Sequence, residues 1–446
     1  MRRIVIAGAS SRSGKTTITC GILSALRQRG ISVSAFKTGP DYIDTEYLRR
    51  SGRCEAYNLD TWLMNEPGVL SLFAGASRAD GISIVEGAMG LFDGGINGTS
   101  GIAKLINAPV VLVINARSMG ESAAAVALGF REFDSGLNIA GVILNFTGSD
   151  YHEEIIAEAL ESKGMKFLGA LRRDEALEIP ERHLGLLQAN ENEHYDFDRL
   201  GAKISERINI DEIIRISDNA GELRPFGSSL QSGKKYNVRV AIARDEAFTF
   251  IYPESVKALE DFGAEVIYFS PLNDERLPDA DGYIFSGGYP EIFADRLAAN
   301  APMLDDVRRV SAEGRPVLAE CGGMMYLCRT LRDINGRTFA MPGVIPFDSY
   351  MAGRSVMGYM TGRALRDNLL CRKGEEVRGH EYHYGRIEPE YQEGSEAFEL
   401  SRRNRSESKL SGYSCGNVLA SWLHVNLWGN PEITEHFLNV LTSSRL

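Results

Sequence analysis

Apolar positions along this chain come in short runs, spaced as interior strands are. Ile4–Ala7, Ser32–Phe36, Ile82–Val85, Val110–Ile114 and Ile139–Leu144 are strand-sized and rich in β-branched residues, and helical patterns separate them. Runs of this kind, without polar alternation, predict strands buried on both faces of a parallel sheet. A second series begins at Val238–Ile242 and continues through Glu265–Phe269, Gly282–Phe285 and Val317–Ala319. Between the two series, Ser217–Lys235 is rich in Gly, Ser, Asn and charge, which predicts a linker. A chain of 446 residues also exceeds one ordinary core. The fold class expected is therefore α/β, with two α/β domains at 1–217 and 237–446 joined by 218–236. No repeat of solenoid period is present.

Composition narrows the partners. Apolar residues at 43% and charged residues at 24% are ordinary for a soluble globular protein. A formal net charge of −11 leaves no basic surplus for counterion release, so no nucleic acid is expected as a partner. The longest apolar runs, such as Ala108–Ile114, cannot span about 30 Å of hydrocarbon. The apolar stretch of Met1–Gly8 is too short for a secretion signal and is followed by Arg12 and Lys15. Six cysteines without paired spacing indicate reduced thiols, so a cytoplasmic location without a membrane partner is expected. Cys20, Cys54, Cys328, Cys371 and Cys415 read as small buried hydrophobes.

Cys321 reads differently. Pro316–Leu327 is an apolar strand, a turn carrying cysteine and then a helical pattern, the layout of a nucleophile elbow. Gly322 and Gly323 directly after the cysteine let the backbone turn tightly and aim N–H groups at a developing oxyanion. Ala319 stands where such elbows usually carry glycine.

At the other end, Gly8–Thr17 follows the first strand and opens a helix. Small residues there, Gly14 among them, aim backbone N–H groups at an anion. Lys15 adds charge for the β and γ phosphates of ATP, Thr16 offers an oxygen to Mg²⁺, and Thr17 continues the motif. The strict pattern would place its first glycine at Ala9, whereas this chain has it at Gly8. Acidic metal partners belong at the carboxyl ends of neighbouring strands, where Glu86 stands; Asp41, Asp44 and Asp93 occupy similar turns. Asn145 ends a strand and is placed either to hydrogen-bond adenine or to cap a turn.

Taken in order, these motifs resemble those of the cobyrinate a,c-diamide synthase family, which joins a dethiobiotin-synthetase-like ATP domain to a triad-type class I glutamine amidotransferase domain. The resemblance also rests on Lys37–Asp44, Asn58–Trp62, Glu86–Gly94, Pro180–Leu186, Ser286–Glu291 and Ser421–His424. It implies a thioester at Cys321 with His424 as base, and an oxyanion held by the backbone N–H groups of Gly288 and Gly322, each worth about 3–4 kcal/mol of barrier. It implies an acyl phosphate made from ATP beside Lys15 and Lys37, with Mg²⁺ on Thr16 and Glu86. Asp41, Tyr42 and Asp93 match the motifs lining the acceptor site. The partners implied are an anionic tetrapyrrole, ATP and L-glutamine, and a homodimer is compatible with them. The acceptor implied is cobyrinate, on the route to cobalamin; nickel-sirohydrochlorin, with acetate arms in similar positions, is the alternative.

Some positions depart from the pattern. The wider amidotransferase class carries a carboxylate two residues after the histidine, and here that place is Asn426, which implies a dyad unless another group orients His424. Asn115, Arg12 and Leu48 replace residues common in relatives. His380 and His383 are alternative bases, read chiefly as acceptor-site or structural residues. A reading from another class, a partitioning P-loop ATPase, would need a lysine near Ser10 and gives the Cys321 elbow no purpose.

Overall fold

The computed structural model describes residues 1–174, 179, 181–182, 185–186, 192, 195–224, 234–389, 394–403 and 407–444. It divides into two compact units: one of Met1–Thr61 with Asn65–Ser228, the other of Ser229–Leu446 with Trp62–Met64. Of the motif at Pro180–Leu186, residues 180, 183 and 184 lie outside the described residues, as do 225–233 of the expected linker.

The first unit is built on β1 (Arg2–Gly8), β2 (Val33–Thr38), β3 (Ala56–Leu59), β4 (Ile82–Gly90), β5 (Val110–Asn115), β6 (Ile139–Thr147) and β7 (Phe167–Arg172). They form one parallel sheet in the order β3-β2-β4-β1-β5-β6-β7. Ile4, Ile6, Val111, Val113 and Ile143 pack with Ile18, Ile22 and Leu26 of α1 (Lys15–Gln28) into one core. The runs lack alternation because helices cover both faces of the sheet. Two strands escaped the sequence pattern. β3 is short and carries Asn58, and β7 is interrupted by Gly169 at φ 125°.

In the second unit the strands Glu265–Phe269, Arg239–Ala243, Gly282–Phe285, Val317–Glu320 and Val418–Ser421 lie side by side and parallel. From Val418–Ser421 the sheet continues antiparallel through Ser408–Cys415, Glu396–Arg402 and the long strand Asp348–Ala364, which also pairs with Glu376–Glu388. This antiparallel extension was not foreseen. Its strands expose one face and carry polar residues throughout, so no apolar block marks them.

Among the described residues no helix is long and apolar enough to cross a membrane. Cys20, Cys328 and Cys371 are buried as expected. Cys54 is only partly buried and Cys415 is exposed, two corrections; Cys415 is the last residue of its strand, directly before the Gly416 turn that leads into Val418–Ser421.

Gly169 is where β7 meets the backbone after the helix Phe197–Arg207: a Cβ there would lie 2.1 Å from the Arg207 carbonyl oxygen. Gly169→Ala is expected to destabilise the first unit by about 3 kcal/mol through strain at positive φ and backbone displacement. Urea unfolding of the full chain, followed by far-ultraviolet circular dichroism, should show an earlier first transition. An unchanged curve would contradict the close approach.

Candidate functional site

The phosphate cradle forms because β1 ends at Gly8 and α1 starts at Lys15, with Gly14 between them in the left-handed region at φ 82°. No side chain caps α1, so its first N–H groups remain available to an anion. Side chains are excluded from the loop: a Cβ on Gly8 would lie 2.4 Å from Ser13 Oγ, and one on Gly14 would lie 2.0 Å from Asn145 Nδ2. Ser13 Oγ is buried and has no hydrogen-bond partner among the described residues. Asn145 is buried, its Nδ2 donating to the Ser13 carbonyl at 2.9 Å and its Oδ1 accepting from the Phe146 N–H. It therefore holds the loop in shape.

Acidic and basic groups converge in front of the loop. Thr16 Oγ1 donates to Glu86 Oε1 at 2.6 Å, and Lys37 Nζ lies 3.0 Å from the same oxygen. Lys37 also pairs with Asp44, and Asp41 Oδ2 stands 4.0 Å away. Burial by itself would lower the Lys37 ammonium, but Asp44, Glu86 and Asp41 outweigh it and hold Lys37 charged. Burial pushes the Glu86 carboxyl up, with the Asp44 charge adding and Lys37 opposing. Lys15 is shifted down by burial and by its neighbour Lys37. Asp41 is raised by burial and by Asp44, although a third of its side chain meets solvent, which tempers the shift. Carboxylates thus exceed cations here, and Glu86 Oε2 is buried with no partner among the described residues.

That orphaned oxygen beside the Thr16 hydroxyl suits a hard divalent cation. Magnesium takes one or two protein oxygens and completes its shell with phosphate and water, so a cage of three acidic ligands is not required. Among the described residues no such cage is present.

The expected acceptor residues divide. Asp41 Oδ1 accepts from the N–H groups of Ile43 and Asp44 and so caps the helix Ile43–Gly52, which Tyr42 precedes. Asn58 Nδ2 binds the carbonyls of Gly39 and Asp41, both at 2.8 Å, which explains why that motif accompanies the Gly-Pro-Asp turn. Asp93 is exposed and accepts from the Gly90 N–H at 2.9 Å. Thr17 is partly buried on α1, Leu48 lies in the core, and Asn115 accepts from the Arg117 N–H.

In the second unit, Cys321 sits between the strand Val317–Glu320 and the helix Gly322–Leu327 at φ 49°, ψ −104°. The glycines around it are required by space. A Cβ on Gly322 would lie 2.9 Å from Gly288 N, one on Gly323 2.0 Å from the Phe285 carbonyl, and one on Gly288 2.1 Å from the Ala247 carbonyl. The backbones of Gly288 and Gly322 therefore meet beside the thiol, as an oxyanion site needs. Glu291, at the end of the same turn, is buried, and burial pushes its carboxyl up to about 7.

His424 is wholly buried and interacts with both Cys321 and Glu320. Its Nδ1 lies 3.7 Å from Glu320 Oε2, while Glu320 Oε1 accepts from the Val425 N–H at 3.1 Å. Burial opposes the imidazolium, but Cys321 and Glu320 overcome it and hold His424 up to about 10. The carboxylate that sequence spacing sought after the histidine is thus supplied by the residue before the nucleophile. Asn426 does not fill that role: its Nδ2 donates to Glu254 at 2.8 Å and its Oδ1 accepts from the Gly429 N–H. Glu320 was legible only as the residue ahead of an elbow cysteine.

The alternative bases have other partners. His380 stacks on His424 at 4.9 Å between centroids, and its Nδ1 lies 3.3 Å from the Tyr252 hydroxyl. Burial and the His424 charge keep it neutral. His383 stacks on Trp422 at 4.3 Å, and its Nδ1 donates to the Gly385 carbonyl.

Glu320→Gln keeps the shape and removes one of the two charges that hold the His424 proton. The proton should then leave at lower pH, so the alkaline limb of glutamine hydrolysis is expected to move down by about one pH unit and the rate to fall about tenfold or more. Initial rates measured across the pH range check this; an unmoved alkaline limb would remove Glu320 from the site.

Residues 4–187 match the CobQ/CobB/MinD/ParA nucleotide binding domain, and residues 239–432 match the CobB/CobQ-like glutamine amidotransferase domain. A cobyrinate a,c-diamide synthase of Dehalococcoides mccartyi (strain CBDB1) is 40% identical over 454 aligned positions, covering 98% of each chain. One from Caldanaerobacter subterraneus subsp. tengcongensis is 41% identical over 453, covering 99% of each. A third, from Methanothermobacter thermautotrophicus, is 39% identical and covers 98% of each. With both halves matched in order and relatives of this identity along its whole length, the chain belongs to the cobyrinate a,c-diamide synthase family.

Proposed function

We propose that this protein amidates the a and c acetate carboxylates of cobyrinate, using ATP to prime the acid and glutamine as the source of nitrogen. The observation that carries the reading is that a phosphate cradle and a cysteine elbow with a buried histidine facing Glu320 occur in one chain whose relatives match it over nearly their whole length.

In the second unit, the Cys321 thiolate attacks the side-chain amide carbon of glutamine, and the oxyanion so formed is met by the N–H groups of Gly288 and Gly322. The His424 imidazolium, held by Glu320, gives its proton to the departing ammonia. Water, deprotonated by the neutral imidazole, then cleaves the thioester and releases glutamate.

In the first unit, a carboxylate oxygen of the tetrapyrrole attacks the γ phosphorus of ATP, and the bond to the β-phosphate oxygen breaks to release ADP. Ammonia then attacks the acyl carbon and phosphate leaves. Positioning and charge stabilisation dominate such a transfer, which is the task of Lys15, Lys37 and the α1 N–H groups. Mg²⁺ would be held by Thr16 and Glu86 and would neutralise phosphate charge. Asp41, Tyr42 and Asp93 border the acceptor. A reducing cytoplasm keeps the Cys321 thiol reactive, and the six free cysteines agree with it.

Cys321→Ser is expected to abolish glutamine-dependent amidation while ammonium salts at high concentration still support it. Glu86→Gln is expected to lower ATP-dependent amidation by about a hundredfold or more with the thiol chemistry retained. Mass spectrometry of cobyrinate incubated with ATP, Mg²⁺ and glutamine should show two successive carboxyl-to-amide changes. Nickel-sirohydrochlorin serves as the comparison acceptor, and amidation of it alone would overturn the cobyrinate assignment.

A further inference from the structure

The motif residue Trp62 takes no part in the chemistry above. It belongs to the second unit, where its indole Nε1 donates to the Gly379 carbonyl at 3.1 Å. That bond fixes the ring. Two guanidinium groups lie over it, Arg378 at 5.0 Å and Arg403 at 5.1 Å from the centroid, and Tyr359 sits 5.9 Å away.

A ring quadrupole attracts each cation but neutralises neither, so two guanidinium groups on one indole still repel. Nearby basic side chains of the same sheet have partners: Lys409 pairs with Glu381, Arg386 donates to the Gly385 and Arg354 carbonyls, and Arg402 donates to the Met357 carbonyl. Among the described residues, Arg378 and Arg403 contact the indole but make no ion pair and no side-chain hydrogen bond. Arg378 is exposed and Arg403 partly exposed, so their planar N–H forks rest against the ring with donors left for carboxylates, which such forks take two oxygens at a time. The Tyr359 ring, tilted by 46° to the indole, adds apolar surface beside the charge. Arg378 is also two residues from His380, whose ring stacks on His424.

We propose that Trp62, Arg378 and Arg403 form a platform that grips the peripheral carboxylates of the tetrapyrrole acceptor. A macrocycle ringed by carboxylate arms matches both parts of the platform: paired anions for the two forks and an apolar edge for the Tyr359 ring beside the indole. The assignment rests on the functional reading above, because it takes its ligand from that reaction.

Equilibrium dialysis of the full chain against cobyrinate, without ATP or glutamine, tests it. The double variant Arg378→Gln/Arg403→Gln is expected to raise the Kd for cobyrinate about tenfold or more, and Arg378→Lys/Arg403→Lys, which keeps the charge and loses the fork, should fall between it and the original. Thermal unfolding of each variant at the original midpoint shows that the fold is retained. A Kd within twofold of the original in the Gln variant overturns the platform, as does an effect confined to the KM for ATP, which would assign the arginines to phosphate. If the unaltered protein binds no cobyrinate, the functional reading itself falls and the platform with it.

Discussion

The backbone at Cys321 is held at φ 49°, ψ −104°, a region in which a non-glycine residue costs about 1–3 kcal/mol. Such strain persists only where surrounding structure over-determines it, and here the parallel sheet does so. The Cys321 N–H donates to the Ser421 carbonyl at 2.8 Å, and the Cys321 carbonyl accepts from the Met325 N–H. Pairing of Val317–Glu320 with Gly282–Phe285 on one side and Val418–Ser421 on the other brings three chain-distant pieces together. These are the elbow, the Gly287-Gly288 turn and the segment leading to His424. The same turn that lifts the thiol sends Glu320 back towards the histidine. One strained residue therefore sets the positions of the Cys321 thiol, the Gly288 and Gly322 backbones and the Glu320 carboxylate at once.

The first unit solves a different problem. ATP and a divalent cation need opposite charges gathered within a few ångströms, which a protein interior resists. The parallel sheet helps by register: Glu86, expected at a strand end, lies inside β4, which runs on to Gly90, and pairs there with Lys37 of β2, while Lys15 follows the end of β1. Lys37 is kept charged by carboxylates, and Glu86 retains one unshared oxygen. The arrangement is thus incomplete as a set of ion pairs among the described residues.

Much of this was legible in order along the chain. The apolar runs marked the interior strands because helices cover both faces, and the Gly-Lys-Thr-Thr and Glu-Cys-Gly-Gly segments carry their chemistry in adjacent residues. What escaped had a common cause. β3 and the antiparallel extension lack continuous apolar runs, since short or one-sided strands mix polar with apolar positions. Asn145 lies two residues inside the end of β6, and its bond to the Ser13 carbonyl joins residues far apart in the chain, which spacing does not reveal.

The carboxylate partner of His424 shows most clearly where sequence stops. Spacing after the histidine pointed to position 426, and the asparagine there bonds Glu254 and Gly429 instead. The chain's linear order determined two sheets, a phosphate loop and a nucleophile elbow, because each rests on backbone conformation and neighbours within a few residues. Only the tertiary structure decided that Glu320 faces His424 and that Trp62 carries Arg378 and Arg403, because both depend on strand register and on contacts between residues far apart in the chain.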